Sequence, residues 1–440
     1  MEIKYRMSKR FAWLLGLVGL VVIGLLVACG TTYNSSSDGL VLTSSQGSAL
    51  LETFSYSLAN GHIAAVANPP SSTSNSTCVL PGIPSSIVLD PAGAYAYVIL
   101  NANTTCSGSK TGIAAFKVNS DGTLTSAGSL APDPHPVTLA MDTAGKFLFV
   151  AEGLNSVPTA PNSLPCPGTT AQYGVCVYSI GTGGSLTSVP GTFTFTGQVG
   201  FQTPNLAALA PTPTVLPGNG INGIQNSVCS DPGNSPPTSE YLYVADSANS
   251  VVWQLKVNTS SGALTGPIGT SPITAGTVPS GVAVDPCARF VYVSNMTSNN
   301  ISAYTICNGL TTQSSTCSTL PPWWLVPVTG SPFTLPSTSN GPGPLLVDPF
   351  GKYLYVLETF SSQVTPFTIS PVSGSLSAGA SVATGIQPTS MAIRGDDNWL
   401  FVTNFQSATL SQYSIIPASG VLSPLPAVTT DNNPWGVAVK

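Results

Sequence analysis

The chain has 440 residues, 42% hydrophobic and only 7% charged, against roughly a quarter charged in an average soluble protein. Four of its 12 basic residues (Lys4, Arg6, Lys9 and Arg10) fall in the first ten positions, so the remainder carries eight basic against 16 acidic residues. Nucleic acid and other polyanions are excluded as partners, because their binding draws on clustered Lys and Arg that displace phosphate counterions.

The N-terminus reads as an export signal. A basic stretch, residues 1–10, is followed by an apolar or small run from Phe11 to Val27 that stops at Leu26-Val27-Ala28-Cys29. The run alone would also suit a transmembrane anchor. The terminal tetrapeptide, however, resembles the bacterial lipobox, which implies cleavage after residue 28 and lipidation of Cys29. Gly30 follows, where an Asp would favour inner-membrane retention. Residues 29–39 then form the lipidated Cys and a polar tether. The expected location is the cell envelope, on the periplasmic or cell-surface side and at the outer membrane. The membrane is then a partner through the anchor alone.

Residues 40–440 read as repeats of one β unit. The clearest copy runs from Ser280 to Asn295 and on from Asn300 to Ile306. Strict apolar/polar alternation rich in Val, Tyr and Phe predicts strands A (Gly281–Val284), B (Phe290–Ser294) and C (Ile301–Ile306), with a less regular D. Asp285-Pro286 marks the A–B turn. Strand B recurs at Tyr95–Ile99, Phe147–Ala151, Tyr241–Ala245, Tyr353–Leu357 and Trp399–Thr403. One interval is nearly double the rest, and it holds a strand A at Asn205–Ala210 followed by an irregular insertion, 211–239. The C–D turn gives an independent count. A Gly followed two residues later by Leu or Ile occurs at Gly61, Gly122, Gly184, Gly262, Gly374 and Gly420, with a shortened form at Gly309-Leu310. The Gly supplies positive φ and the aliphatic residue restarts the inward face.

These counts predict seven units. The first has a strand B at Leu40–Ser44 and a strand C at Leu51–Leu58, but only the tether precedes them. The chain ends on Pro434-Trp-Gly-Val-Ala-Val439, a close copy of Gly281–Val284. The expectation is an all-β, seven-bladed β-propeller closed by the C-terminal strand, which removes the exposed edge an open solenoid would leave. Asp-Pro-x-Gly-Lys/Arg-Tyr/Phe-Leu-Tyr-Val, seen at Asp348–Val356 and imperfectly at Asp90–Val98 and Asp142–Val150, resembles the YVTN-repeat and lactonase-type propellers. That group includes the propeller form of 6-phosphogluconolactonase. Val328-Thr-Gly-Ser-Pro-Phe333 is similar to bacterial members.

In such a ring, A–B and C–D turns share one face, while B–C and D–A loops surround the channel mouth on the other. Of nine cysteines, eight remain once Cys29 is set aside. An oxidising compartment makes disulfides the default. Cys78 and Cys106 fall on the mouth face, and Cys229 and Cys287 in A–B turns of adjacent blades. Cys166 and Cys176 flank one B–C loop, and Cys307 and Cys317 one C–D connection. Pairing them in that order sends no bridge through the body. Metal binding is the rival use, but no C-x-x-C spacing occurs and there are only two His. No metal and no cofactor are expected.

Ester hydrolysis needs a general base or a metal-bound water. His62 sits in a turn where other copies carry Thr123, Ser185, Ala263, Ser375 and Val421, so it reads as a surface residue. His135 lies in the D–A loop Asp133-Pro-His-Pro136, at the mouth. The family resemblance implies a catalytic pair of a His before strand A and an acidic residue closing strand B, here His135 and Glu152. The family's His commonly lies nearer the strand, where this chain has Val137. The Arg residues that would hold an anionic substrate are not evident, because Arg289 and Arg394 both lie by A–B turns. Strand B closes with Glu152, Asp246, Asn295, Glu358 and Asn404. These read either as a polar ring that binds a ligand or as caps of their own B–C turns. Trp323-Trp324, beside Leu325, Val326 and Val328, reads as part of a packed strand. Gly108-Ser-Lys-Thr-Gly112 lacks the spacing of a phosphate loop. The sequence favours a lipid-anchored scaffold that binds an envelope glycan or protein, with hydrolysis of a small, uncharged lactone as the alternative.

Overall fold

The computed structural model describes residues 38–66, 80–102, 110–128, 130–133, 135–152, 174–190, 193–194, 205–210, 240–266, 272–307, 315–320, 323–336 and 341–440. The export signal with Cys29, the insertion 211–239, Gly309-Leu310 and Cys78, Cys106, Cys166 and Cys229 lie outside these residues. Among them no helix is long and apolar enough to cross a membrane.

The strands form seven antiparallel sheets of four or five strands, each a blade. Numbered by strand B, blade 1 holds Asp38–Ser45, Leu50–Ser57 and Ile63–Ala65 as B, C and D. Blades 2 to 7 begin with A strands Ile83–Leu89, Pro136–Met141, Asn205–Ala210, Pro279–Val284, Pro342–Val347 and Pro388–Ile393. Consecutive A strands lie side by side around the whole ring. The one helical feature besides a three-residue 3-10 turn is a second such turn, Ser315–Thr319, again among the described residues.

The ring closes as the sequence predicts. The C-terminal strand Pro434–Val439 pairs antiparallel with strand B of blade 1, with Val41 opposite Val439, Leu42 opposite Ala438 and Thr43 opposite Val437. The backbones of Leu40 and Lys440 exchange two further hydrogen bonds, of 3.2 and 2.8 Å. The Ser44 hydroxyl accepts from the Gly436 amide at 2.8 Å and donates to the Ser85 carbonyl of blade 2 at 2.5 Å. First and last residues of the propeller are therefore locked into one sheet and tied to its neighbour.

Each B strand is covered on both faces by adjacent blades, so it is buried along its length; Phe147–Glu152, Tyr353–Glu358 and Trp399–Asn404 have no exposed residue. The core is a set of apolar clusters at the seams between blades, such as Val41, Tyr56, Trp399 and Phe401 between blades 1 and 7. The turn chemistry holds as well. Asp142 Oδ1 accepts from the amides of Lys146 and Phe147, and Asp348 Oδ1 from those of Lys352 and Tyr353, at 2.6–2.7 Å. Each C–D glycine has φ between 68° and 81°. Five of them also lie against the aromatic ring that opens strand B of the preceding blade: Gly61 on Trp399, Gly184 on Tyr95, Gly262 on Phe147, Gly374 on Phe290 and Gly420 on Tyr353. Space and backbone conformation thus both demand glycine.

Two local expectations change. In most blades strand B runs one residue further than the apolar pattern marks, so the closing polar residue is the last rung of the ladder. Trp323 is not in a strand; strand D of blade 5 begins at Leu325, and Trp323 sits before it with φ at 73°. It is nonetheless packed, stacked on Tyr241 of blade 4 with ring centroids 4.3 Å apart.

Candidate functional site

The closing residues of strand B are all buried at the mouth-side end of their blades. In most blades strand C supplies the partners. Asn404 sits opposite Thr409 in the ladder, and Val402 opposite Ser411. Its Nδ2 donates to both hydroxyls at 3.0 and 2.9 Å, and its Oδ1 accepts from the Gly385 amide at 3.0 Å. Asn295 repeats the pattern with Asn300, Ser302 and the Gly276 amide. Glu358 accepts from Gln363 Nε2 at 2.6 Å and from the Thr365 hydroxyl. Asp246 accepts from the Asn249 side chain at 2.7 Å, from the Trp253 indole at 3.2 Å and from two backbone amides of its turn. These four side chains are fully enclosed and each is engaged within its own corner. The structure does not bring them together.

Blade 3 departs from this rule. Glu152 faces Gly174, which has no side chain, and Val150 faces Cys176, which is disulfide-bonded. Neither position can donate to a carboxylate. Glu152 is 1% exposed, and neither of its oxygens has a side-chain donor from strand C. What it meets instead is a second carboxyl, Asp133, also 1% exposed, from the D–A loop that leads into the blade. The Asp133 Oδ2 accepts from the Tyr178 hydroxyl at 2.8 Å, while Oδ1 is unpaired. The backbone amide of His135 favours the ionised form of both acids.

Burial dominates the electrostatics. Desolvation pushes Asp133 up to about 6, against the pull of Glu152, the Tyr178 hydroxyl and the His135 amide. Desolvation, and then the Asp133 charge, push Glu152 well above the usual carboxylate range. Two acids this close cannot both ionise, so the pair shares a proton and titrates as a unit. Desolvation lowers His135, which keeps its imidazole neutral at neutral pH. Burial raises Tyr178, which remains a hydroxyl donor.

The structure therefore brings Glu152 and the His135 loop together at one corner. Asp133 and Tyr178 complete the constellation; the sequence offered Asp133 inside Asp133-Pro-His-Pro136 but nothing that singled it out. The available signal was negative: Gly174 and Cys176 stand where other blades place hydroxyls or amides. His62 is exposed in its turn. Arg289 is bound to Asp285 and Arg394 to Asp396, both at A–B turns on the opposite face. Cys307 and Cys317 are joined, with Cα atoms 5.1 Å apart, and Cys287 is also disulfide-bonded. Among the described residues, Asp133, Glu152 and Cys176 are the one group whose donor atoms lie close enough to hold a metal ion, all within 4.8 Å of one another. With the sulfur in a disulfide, the arrangement as it stands is a buried acid–base pair.

Comparison with known proteins supports the architecture. The model of the family described as "Lactonase, 7-bladed beta-propeller" matches residues 237–439, from blade 4 to the closing strand. A candidate 6-phosphogluconolactonase of Bacteroides fragilis superposes with a TM-score of 0.63 at 16% identity, over 93% of this chain and 100% of that one. The periplasmic gluconolactonase of Pseudomonas aeruginosa superposes with a TM-score of 0.63 at 17% identity, over 91% and 98%. No curated protein matches the sequence.

Proposed function

From the premise that the chain is a seven-bladed propeller of the lactonase type, we propose that it hydrolyses an uncharged lactone at the blade 3 corner. The enclosed meeting of the Asp133 and Glu152 carboxyls carries the reading. A pair holding one proton offers a base and an acid side by side. The ionised member takes a proton from the water that attacks the ring carbonyl. The protonated member gives its proton to the ring oxygen as the ester bond breaks. The product is a hydroxy acid, which releases its proton to solvent. In this reading neutral His135, on the adjoining loop, orients the water or relays its proton.

The distribution of positive charge supports an uncharged substrate. Of the eight basic residues beyond position ten, Lys146, Arg289, Lys352 and Arg394 lie in A–B turns. Lys117 and Lys256 lie near the far end of strand C, and Lys440 follows the far end of strand A. Lys110 is the one basic residue in a B–C loop. A phosphorylated sugar would find little to hold it at the mouth. The lipobox resemblance supports an extracytoplasmic, membrane-anchored location, and the cited Pseudomonas protein is periplasmic.

The experiment is hydrolysis of a panel of uncharged γ- and δ-lactones by residues 30–440, followed by base consumption at constant pH. Turnover that falls at least a hundredfold in Glu152→Gln and is reduced in His135→Ala supports the proposal. A folded protein that turns over none of the panel, or a Glu152→Gln variant as active as the parent, overturns it. A second reading, a binding scaffold, draws support from apolar side chains exposed at the mouth side of blades 6, 7 and 1. Phe360, Ile386 and Trp435 are 71%, 56% and 39% exposed, and Trp435 meets Phe405 edge-on at 5.7 Å.

A further inference from the structure

The blade 3 corner holds three donors that a transition metal would accept, of which one is chemically blocked. Asp133 Oδ1 and both Glu152 oxygens are buried with no side-chain donor from outside the pair, so this is not a solvated acidic patch. Cys176 Sγ lies within 4.8 Å of a carboxylate oxygen from each, and it is tied up in a disulfide. A disulfide sulfur is a poor ligand, whereas a thiolate is a strong one for zinc. Without the sulfur, two carboxyl groups remain, too few to hold zinc against the proton they share.

We propose that the Cys176 disulfide gates a zinc-type metal site formed by Cys176, Asp133 and Glu152, closed in the oxidised chain and open in the reduced one. A water-soluble phosphine supplies two electrons to the disulfide and becomes the phosphine oxide. Water provides the oxide's oxygen and the two protons that complete the thiols. The metal then displaces the Cys176 thiol proton and the proton held by the carboxyl pair. Its positive charge replaces the shared proton as the group that lets both carboxylates ionise. Tetrahedral zinc, with bonds of about 2.0–2.3 Å, sets its donors roughly 3.3–3.8 Å apart. The three side chains must therefore close by at most about 1.5 Å, and a fourth position stays open to water. The site stands without the hydrolase reading, because it needs the donors and not the substrate.

Cobalt(II) is the probe, titrated into metal-free residues 30–440 before and after phosphine reduction. The reduced chain is expected to bind one equivalent with a thiolate-to-cobalt charge-transfer band and four-coordinate visible bands, and the oxidised chain to show neither. In the reduced state Cys176→Ser removes the charge-transfer band, Glu152→Gln weakens binding at least tenfold, and Cys307→Ser changes nothing. Equal binding by the oxidised chain, a band that survives Cys176→Ser, or indifference to Glu152→Gln overturns the proposal. Should reduction abolish the near-ultraviolet circular dichroism of the fold, Cys176→His supplies a third ligand with no reductant. That variant must bind cobalt as isolated, and failure to do so sinks the idea equally.

Discussion

The mouth-side corners of blades 3 and 7 share one backbone and differ in what surrounds the last residue of strand B. Asn404 has two hydroxyls from strand C and a glycine amide from the preceding loop. Glu152 has a glycine, a disulfide sulfur and another acid. The first corner is a satisfied polar cap, of the kind a buried position requires. The second keeps carboxyl oxygens enclosed with no side-chain donor, at a cost that the other seams of the ring must offset. Blade 7 shows that the propeller builds this corner without a carboxylate. The unusual chemistry of blade 3 is thus created by withholding partners, and local inconsistency of this kind is expected at functional or strained sites.

Substitution at the two corners should separate their roles most clearly in activity. Glu152→Gln keeps the shape and abolishes proton exchange, so lactone turnover is expected to fall by about 10²–10⁴; Asn404→Leu should leave turnover per folded molecule unchanged. Stability should respond in the opposite sense. Asn404→Leu strands the Gly385 amide and two hydroxyls, costing roughly 2–4 kcal/mol in a denaturant titration. Equal turnover losses in the two variants would mean that the corners do not differ in the way argued.

The third expectation is a pH signature. Asp133 and Glu152 titrate above their ordinary values of 3.8 and 4.5 when folded, so the native state holds protons that the unfolded chain gives up. Their stabilising influence is present below about pH 4 and is lost as pH rises through the folded value of Asp133, about 6, and beyond towards that of Glu152. Glu152→Gln removes the share of this loss that belongs to Glu152. The variant should gain roughly 1–3 kcal/mol over the parent at pH 8 and nothing at pH 4. A gain that is the same at both pH values would show that the pair does not share a proton.

The ring itself was legible because its signals are local and repeated. Strand B alternation, Asp-Pro turns and the C–D glycines each report on a few neighbouring residues. The likeness of Trp435–Val439 to Gly281–Val284 carried the closure. The end of strand B was misread by one residue, since a polar side chain there is buried by neighbouring blades that no local pattern shows. His135 and Glu152 were visible as residue types. Their company was not: Asp133 reaches Glu152 from a separate loop, and Tyr178 reaches Asp133 across the blade. The informative feature was an absence, a glycine and a cysteine at positions that carry Thr409 and Ser411 in blade 7, and residue patterns advertise what is present.

Tyr178 offers the finest test, because the same position exists elsewhere without the acid. Tyr304 and Tyr413 donate to carbonyls of the preceding blade, Thr274 at 2.5 Å and Ala383 at 2.7 Å. Tyr178 lies 3.3 Å from the corresponding Pro132 carbonyl but 2.8 Å from Asp133 Oδ2. Its hydroxyl therefore favours the ionised carboxylate and holds Asp133 below where burial alone would set it. Tyr178→Phe and Tyr413→Phe should each cost about 1 kcal/mol of stability, the usual worth of one hydrogen bond. Only Tyr178→Phe should also move the acidic limb of the pH–rate profile, upward and by less than about one unit, since a charge-assisted bond contributes roughly 1.5–3 kcal/mol at most and the shared proton relaxes to offset part of it. An unmoved limb in Tyr178→Phe, alongside a normal loss of stability, would reduce the tyrosine to the structural strut that Tyr304 and Tyr413 already are and would detach Asp133 from the rate-determining ionisation.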